Sequence, residues 1–282
     1  MNSLLSILRD VAVVPSFSSY ENLLHPVVKK NLSAVKGAEI VHVPDNNLVA
    51  LIPGQPDRQP VALAAHLDKI NHFGESPPET LPFTVDDDRV TGQMDNSVGL
   101  ALAMALAGES AVRNFPPLIL LFSEMEESYG LKHHPHLLRE GGAGLHHGIG
   151  AERIARHLIE TGQLPECVIT IDTTPLFRGD RGVALYSEHW KFTGIKPGEK
   201  EKVETVRLRD ELLALDPGIM LSNNTNDYLH YGVEFNKNHG HGIPSVAIEP
   251  AIHPYHTRDE SVFTEDIERA HGILTRFLEK RG

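Results

Sequence analysis

Short continuous apolar runs alternate along this chain with segments of helical periodicity, and this alternation restricts the fold more than any other feature. The apolar runs have the length of buried strands and include VALAAHLD, PPLILLFSE and CVITIDTT. Helical periodicity marks NSVGLALAMALAG, AERIARHLIETG and the closing TEDIERAHGILTRFLEK. The alternation predicts an α/β three-layer sandwich with a mixed, largely parallel central sheet, in which functional residues collect at the carboxyl ends of strands.

The remaining elements are predicted from the same periodicities. Two amphipathic helices are expected between residue 3 and about residue 35. The segment EIVHVPDNNLVALIPG is predicted as one strand-like run, and residues from about 71 to 93 as a polar, proline-rich loop.

Composition narrows the classes of function. The chain has 282 residues, of which 40% are hydrophobic and 23% are charged, and its formal net charge is -12. This balance argues against nucleic acid or an anionic membrane as a partner, because either would attract clustered Lys and Arg. The amino terminus lacks the pattern of a secretion signal, and a single cysteine, Cys167, excludes an intrachain disulfide. We therefore expect a cytoplasmic protein.

Two adjacent carboxylates, Glu126 and Glu127, end the run PPLILLFSEMEESYG. Like charges at the end of a buried strand repel and raise each other's proton affinity, unless a cation compensates them. A metal ion would meet that need. The alternative is a solvated loop after a strand, which is the common surrounding of a charged pair.

Further residues with metal-binding side chains stand at the ends of other predicted elements. They are His66, Asp68, Asp95, Asp172 and His256. An α/β sheet gathers its strand ends in one crevice, so these side chains can converge with the glutamate pair. Mixed imidazole and carboxylate ligands favour zinc, manganese or cobalt over magnesium or calcium.

Five segments in this order resemble the signature segments of the dinuclear-zinc exopeptidases. They are AAHLDKI, MDNSVGLALAMALA, LFSEMEESYG, ITIDTTP and HPYHTRDESV. That superfamily includes the single-domain leucyl aminopeptidases, the tetrahedral (deblocking) aminopeptidases, and the carboxypeptidases and deacylases. The segments LRDVAVVPSFSSYE and VPDNNLVALIPG resemble the tetrahedral branch, so the resemblance extends over nearly the whole chain.

The resemblance implies a site with two divalent metal ions, with zinc expected and cobalt or manganese as substitutes. His66 and Asp172 would hold one ion, Glu127 and His256 the other, and Asp95 would bridge both. Each ion would then have three protein ligands and one open position, as catalytic zinc requires.

Two further residues would serve catalysis without binding metal. The resemblance makes Asp68 the residue that orients the His66 imidazole, and Glu126 the general base. If the segment is extended, Glu126 and Glu127 point in opposite directions, so their roles can differ.

Spacing distinguishes the branches of the superfamily. The tetrahedral aminopeptidases insert a separate domain between the first histidine and the bridging aspartate, whereas only 29 positions separate residues 66 and 95 here. The 84 positions from residue 172 to residue 256 are largely needed by the core sheet, so they leave little room for a separate domain. We therefore expect a single catalytic metallopeptidase domain over 1–282, with a Gly- and His-rich excursion at about 130–150.

The function that follows is a metal-dependent exopeptidase, expected to be an aminopeptidase acting on a peptide or amino-acid amide. Two alternatives stay open: an N-acyl amino acid deacylase or carboxypeptidase of the same fold, and a binding protein that has lost its metals. Asp227, Tyr231 and His241 are candidates for the substrate pocket, and Arg181 is a candidate carboxylate ligand. The number of subunits is left open by the sequence.

The excursion contains five histidines, at positions 133, 134, 136, 146 and 147. They could bind an auxiliary metal. Their spacing lacks the regularity of ligands on one helix face, however, and is more typical of a solvated lid.

Overall fold

A central sheet of eight strands organises the protein. The computed structural model describes residues 3–222, 230–239 and 242–282. Within them the strands are β1 (Glu39–Val43), β2 (Asn47–Ile52), β3 (Val61–His66), β4 (Phe83–Val85), β5 (Arg89–Gly92), β6 (Leu118–Ser123), β7 (Cys167–Ile171), β8 (Val183–Tyr186), β9 (Met220–Leu221), β10 (Ser245–Pro250) and β11 (Glu260–Phe263).

The strand order in this sheet is β1-β2-β6-β3-β7-β10-β8-β9. The neighbours from β6 to β10 pair in parallel, as do β8 and β9, whereas β1–β2, β2–β6 and β10–β8 are antiparallel. The predicted mixed, largely parallel sheet is confirmed. Its central strands are buried on both faces, which explains their unbroken apolar sequences.

Helices cover both faces of the sheet. They are α1 (Leu4–Ala12), α2 (His25–Leu32), α3 (Ser97–Glu109), α4 (Tyr129–His133), α5 (Ile149–Thr161), α6 (Trp190–Thr193), α7 (Glu199–Leu213), α8 (His230–His239) and α9 (Thr264–Arg281). None of the helices in the described part of the chain is long and apolar enough to cross a membrane.

The two faces follow from side-chain alternation along each strand. In β6, Leu118, Leu120 and Phe122 pack with α1, α2, α3, α7 and α9, whereas Ile119 and Leu121 pack with α5 and α8. The helix α3 has no polar face because it lies wholly within the first layer, where nearly all of its residues are buried. The result is the predicted three-layer sandwich.

Two expectations about local structure are wrong. The run predicted as one strand is the hairpin β1–β2, because the Pro-Asp-Asn turn, with Asp45 at φ 65°, reverses the chain. The predicted loop between 71 and 93 contains β4 and β5, which pair with each other, and β5 also pairs with β11, so the three strands form a second sheet. Both strands are short, and β11 is distant in sequence, so no local periodicity marks them.

Candidate metal centre

The carboxyl ends of three parallel strands meet at one edge of the main sheet. His66 is the last residue of β3 and pairs in register with Ser123, the last residue of β6. Glu126 and Glu127 follow β6, and Asp172 follows β7 directly. Because β3 lies between β6 and β7, the histidine is flanked by carboxylates on both sides.

Asp95 reaches the same place from the second sheet, at the junction between β5 and α3. The next residue, Asn96, caps α3 by accepting from the Gly99 N–H at 2.8 Å, and donates to the Ile171 carbonyl at 2.8 Å. A Cβ on Gly99 would lie 2.2 Å from that carbonyl oxygen. Glycine at this position therefore lets the start of α3 pack against the end of β7 and fixes Asp95 over the sheet edge.

The two oxygens of Asp95 face two different imidazoles. Its Oδ1 lies 3.1 Å from His66 Nε2, and its Oδ2 lies 3.6 Å from His256 Nε2. Asp172 Oδ2 is 3.5 Å from His66 Nε2, and Glu127 Oε1 is 3.6 Å from His256 Nε2. The five residues predicted as ligands thus form two groups that share one carboxylate. His66, Asp95 and Glu127 each offer one ligand atom, and these three atoms lie within 4.8 Å of one another.

These separations suit a pair of bound metal ions. Two ligands of one tetrahedral zinc lie about 3.3–3.4 Å apart, given metal–ligand distances of about 2.0–2.1 Å. The four separations in the two groups range from 3.1 to 3.6 Å. Asp172 Oδ2 is buried and accepts no hydrogen bond from the described residues. This oxygen faces His66 Nε2 at 3.5 Å, and a cation between the two atoms would bind both, so the residues fit the group that the sequence predicts.

Protonation equilibria in the buried site also indicate a need for positive charge. Burial, followed by the charges of Asp95 and Glu126, raises the pKa of Glu127 well above its ordinary value. Burial also raises the pKa of Asp172. At Asp95 the effect of burial is outweighed by His256 and His66, which lower its pKa. Divalent ions would stabilise the ionised forms of all three carboxylates.

Burial alone would lower the pKa of His66, but its carboxylate neighbours, Asp172 foremost, raise it well above the usual range. The imidazole is therefore held by a strongly negative environment. A metal ion would take the place of the proton at Nε2 and leave Nδ1 as the hydrogen-bond donor.

Asp68 joins His66 to the glutamate pair. His66 Nδ1 lies 2.9 Å from the backbone carbonyl of Asp68 and 3.4 Å from its Oδ1. The carboxylate of Asp68 accepts from the N–H groups of Glu126 and Glu127, both at 3.0 Å, and from the Ser18 hydroxyl at 2.8 Å. The backbone of Asp68 thus contacts the histidine, and its side chain holds the segment that carries the two glutamates.

Glu126 and Glu127 diverge for a different reason from the one predicted. The segment is not an extended strand, because Met125 has φ 53° and the next two N–H groups point to the same carboxylate. Glu127 reaches His256, whereas Glu126 places Oε2 3.8 Å from His66 Nε2 and keeps Oε1 on the far side. A turn, and not strand alternation, separates the two carboxylates.

The other predicted residues fall in several places. Tyr231 is buried and lines a cavity beside His66 and Glu126. Arg181 lies on the surface, paired with Asp88 at 3.1 Å and with Glu265. Asp227 and His241 lie outside the described residues.

Glu260 is a further buried residue at the centre that the sequence patterns do not predict. It is buried at the start of β11, and its Oε2 accepts from the N–H groups of Met94 and Asp95 at 2.9 and 3.1 Å. It therefore orients the backbone of the predicted bridging residue. The available signal was an acid that opens an otherwise apolar strand, four residues after His256.

The whole chain resembles solved structures in fold. No protein-family model and no curated protein matches the sequence. The TET aminopeptidase from the marine sediment archaeon Thaumarchaeota archaeon SCGC AB-539-E09 superposes with a TM-score of 0.68 at 13% identity, covering 98% of this chain and 96% of the other. Aminopeptidase PepT from Bacillus cereus gives 0.64 at 12% identity, with 98% and 97% covered.

A third similar structure has a different name. The protein described as an endoglucanase from Thermotoga maritima gives a TM-score of 0.61 at 13% identity, with 97% of this chain and 96% of the other covered. At these identities the comparisons establish the shared fold, and the chemistry has to be argued from the site.

Proposed function

We propose that this protein is a dinuclear metal-dependent hydrolase that acts as an aminopeptidase, with zinc as the expected metal. The observation that most supports this proposal is the position of Asp95, whose Oδ1 lies 3.1 Å from His66 Nε2 and whose Oδ2 lies 3.6 Å from His256 Nε2. His66 and Asp172 would hold one ion, Glu127 and His256 the other, and Asp95 both. The fold shared with two structures named as aminopeptidases supports this proposal.

The two ions, when bound, would lower the pKa of a water molecule and polarise the scissile carbonyl. Glu126 then acts as general base: its carboxylate takes the proton of the attacking water and returns it to the leaving amine. Asp68 keeps Glu126 in place by accepting its backbone N–H at 3.0 Å. Glu127 cannot share this role, because it faces His256.

Glu126 lines two cavities. One is narrow, with a volume of about 20 Å³, and its lining includes Ala64, Ala65, Ser123 and Ala151, with Tyr231 at its wall. The other has a volume of about 160 Å³, contains both glutamates together with Tyr129, Lys132 and His133, and offers room for substrate. The excess of carboxylates around the centre favours a substrate with a free ammonium group. Lys132 is the feature that favours the carboxypeptidase or deacylase alternative, because a lysine can pair with a carboxylate.

The other candidate functions fit the site less well. A binding protein without metals would have no use for carboxylates whose charges are uncompensated in the interior. An endoglucanase needs two carboxylates flanking a glycosidic bond, and leaves the two imidazoles at Asp95 without a role. We further propose a single catalytic domain, with the 130–150 excursion beside the site, and a cytoplasmic location, which the single cysteine supports.

Substituting each glutamate by glutamine tests the proposal. Glu126→Gln keeps the metal ligands, so it should retain zinc and lose turnover by about 10²–10⁴-fold, the usual contribution of a general base. Glu127→Gln should lose zinc itself. Metal content by mass spectrometry and hydrolysis of aminoacyl-p-nitroanilides are measured on both variants. Full activity of Glu126→Gln would refute the base assignment.

The same preparation separates the candidate functions. Wild-type protein supplied with zinc should carry at least about two ions per chain, and a content below about one would exclude the hydrolase. Aminoacyl-p-nitroanilides and N-acetyl amino acids are then compared as substrates. Cleavage of only the N-acetyl compounds would reject the aminopeptidase and support the deacylase.

A further inference from the structure

A second group of metal-binding side chains lies on the far side of Glu126. Glu126, His147 and His230 offer ligand atoms that all lie within 4.8 Å of one another. The three residues come from separate parts of the chain: the turn after β6, the loop before α5 and the first residue of α8. The dinuclear centre described above uses neither histidine.

The two oxygens of Glu126 point to different partners. Its Oε2 lies 3.8 Å from His66 Nε2, on the side of the dinuclear centre, and its Oε1 lies 3.9 Å from His147 Nε2. The rings of His147 and His230 meet edge to face with their centroids 4.8 Å apart. The Nε2 atoms of both histidines and Glu126 Oε1 are buried from solvent. One carboxylate thus separates two groups of ligands.

The backbone around this second group is built for close approach. Gly148 has φ 78°, and a Cβ at that position would lie 2.8 Å from the His230 ring. The Gly148 N–H donates to the Met125 carbonyl at 2.9 Å, which fastens the loop to the turn carrying Glu126. Glycine adopts this φ without strain and has no Cβ that would collide with the ring. The His230 ring can therefore lie against the loop because residue 148 is glycine.

Charge and ligand chemistry favour a divalent cation here. Two imidazoles and one carboxylate form a recognised zinc donor set, and contraction of the 3.9 Å Glu126–His147 separation by about half an ångström would bring it to tetrahedral spacing. The dinuclear centre holds five carboxylates, namely Asp68, Asp95, Glu126, Glu127 and Asp172. Two divalent ions compensate four of their charges, and one negative charge remains to attract a further cation.

We propose that Glu126, His147 and His230 form a third divalent-cation site that inhibits the enzyme when it is filled. A cation at this site engages the carboxylate that must accept the proton, so excess zinc stops turnover without displacing the two ions of the dinuclear centre. Cation binding at the site is independent of the proposed function. The inhibition rests on the proposed function, because a cation bound to Glu126 stops turnover only if Glu126 is the general base.

Zinc titration of the metal-free protein, followed by calorimetry and by counting bound zinc, tests the site. The variants are His147→Gln and His230→Gln, and His146→Ala is the matched control. His146 lies in the same loop but is exposed and pairs with Glu152 at 3.2 Å. We expect about three equivalents for wild type and for the control, and an affinity for the third equivalent at least about tenfold weaker in both glutamine variants.

The counts distinguish this inference from the proposed function. If every protein binds two equivalents of zinc, the third site is rejected and the proposed function stands. If the wild type binds no zinc, the dinuclear centre is rejected. A third equivalent unaffected by the glutamine variants would also overturn the assignment, because the ion would then bind elsewhere.

A kinetic measurement covers the case in which a variant folds poorly. Turnover of wild type should rise with free zinc, as the dinuclear centre fills, and then fall at higher zinc. In whichever glutamine variant retains a cooperative unfolding transition, the falling phase should move to at least about tenfold higher zinc. A falling phase at the wild-type zinc concentration in that variant would contradict the proposal.

Discussion

The two sides of Glu126 are built in different ways. On one side, His66 and Asp172 end buried parallel strands, and their spacing is set by the hydrogen-bond register of the sheet. On the other side, His147 and His230 stand on a loop and at a helix start, and glycine and side-chain contacts set their spacing. The difference teaches that the register of a sheet can space the proposed ligands of the dinuclear centre, whereas glycine and ring contacts can space the residues of the proposed third site.

Two leucine-to-alanine variants test this contrast with the largest expected change in stability. Leu120 in β6 is fully buried in the central sheet, whereas Leu138 packs within the excursion beside Gly130 and Gly142. Leu120→Ala should lower the free energy of unfolding by about 3–5 kcal/mol, and Leu138→Ala by about 1–2 kcal/mol, because the excursion can relax around the cavity. Denaturant unfolding measures both values. Equal losses would break the distinction between rigid sheet and adaptable loop.

Asp68→Asn tests how firmly the sheet edge holds the glutamate pair. The carboxylate accepts three hydrogen bonds, and an amide NH₂ group cannot accept where one oxygen did. Zinc affinity should fall by about 10–100-fold, the usual effect of losing a residue that orients ligands. Ser18→Ala is the control, because it removes one donor and keeps the carboxylate. An unchanged affinity in Asp68→Asn would show that the turn holds itself.

Gly148→Ala tests the other side of Glu126, where the loop meets His230. The left-handed backbone and the contact with His230 together should cost about 1–3 kcal/mol of stability and weaken the third zinc equivalent. Gly144→Ala is the matched control: its φ is 74°, and among the described residues no atom beyond its chain neighbours lies within 4 Å of an added Cβ. It carries only the backbone strain. Identical behaviour of the two variants in unfolding and zinc titration would remove the role assigned to the contact with His230.

Much of the fold could be predicted from local sequence. The buried strands β3, β6 and β7 are continuous apolar runs, and α5 has clear helical spacing, whereas α3 is apolar on all sides. The strands β4 and β5 were not predicted because a strand of three or four residues is too short to show a periodicity of its own, and these two pair with each other and, through β5, with the distant β11. Local patterns report burial, and these strands are only partly buried.

The candidate site divides in the same way. His66, Asp95, Asp172 and the glutamate pair could be named from their positions at element ends and from the resemblance of the segments around them. Glu260 and His230 could not be named, because the residues next to them in the sequence do not indicate which backbone or side chain they contact. His147 is predicted only as one histidine of a solvated segment. Its neighbour His230 lies 83 positions further along the chain, so the local sequence does not indicate their contact.

The sequence by itself determined which segments are buried, in which order strands and helices follow, and which side chains end the central strands. These properties depend on the periodicity of neighbouring residues. Only the tertiary structure decided that Asp95 lies between two imidazoles, that a turn at Met125 separates the two glutamates, and that Glu126 faces a second pair of histidines. Those arrangements arise from contacts between residues far apart in the chain, whose energies no local pattern encodes.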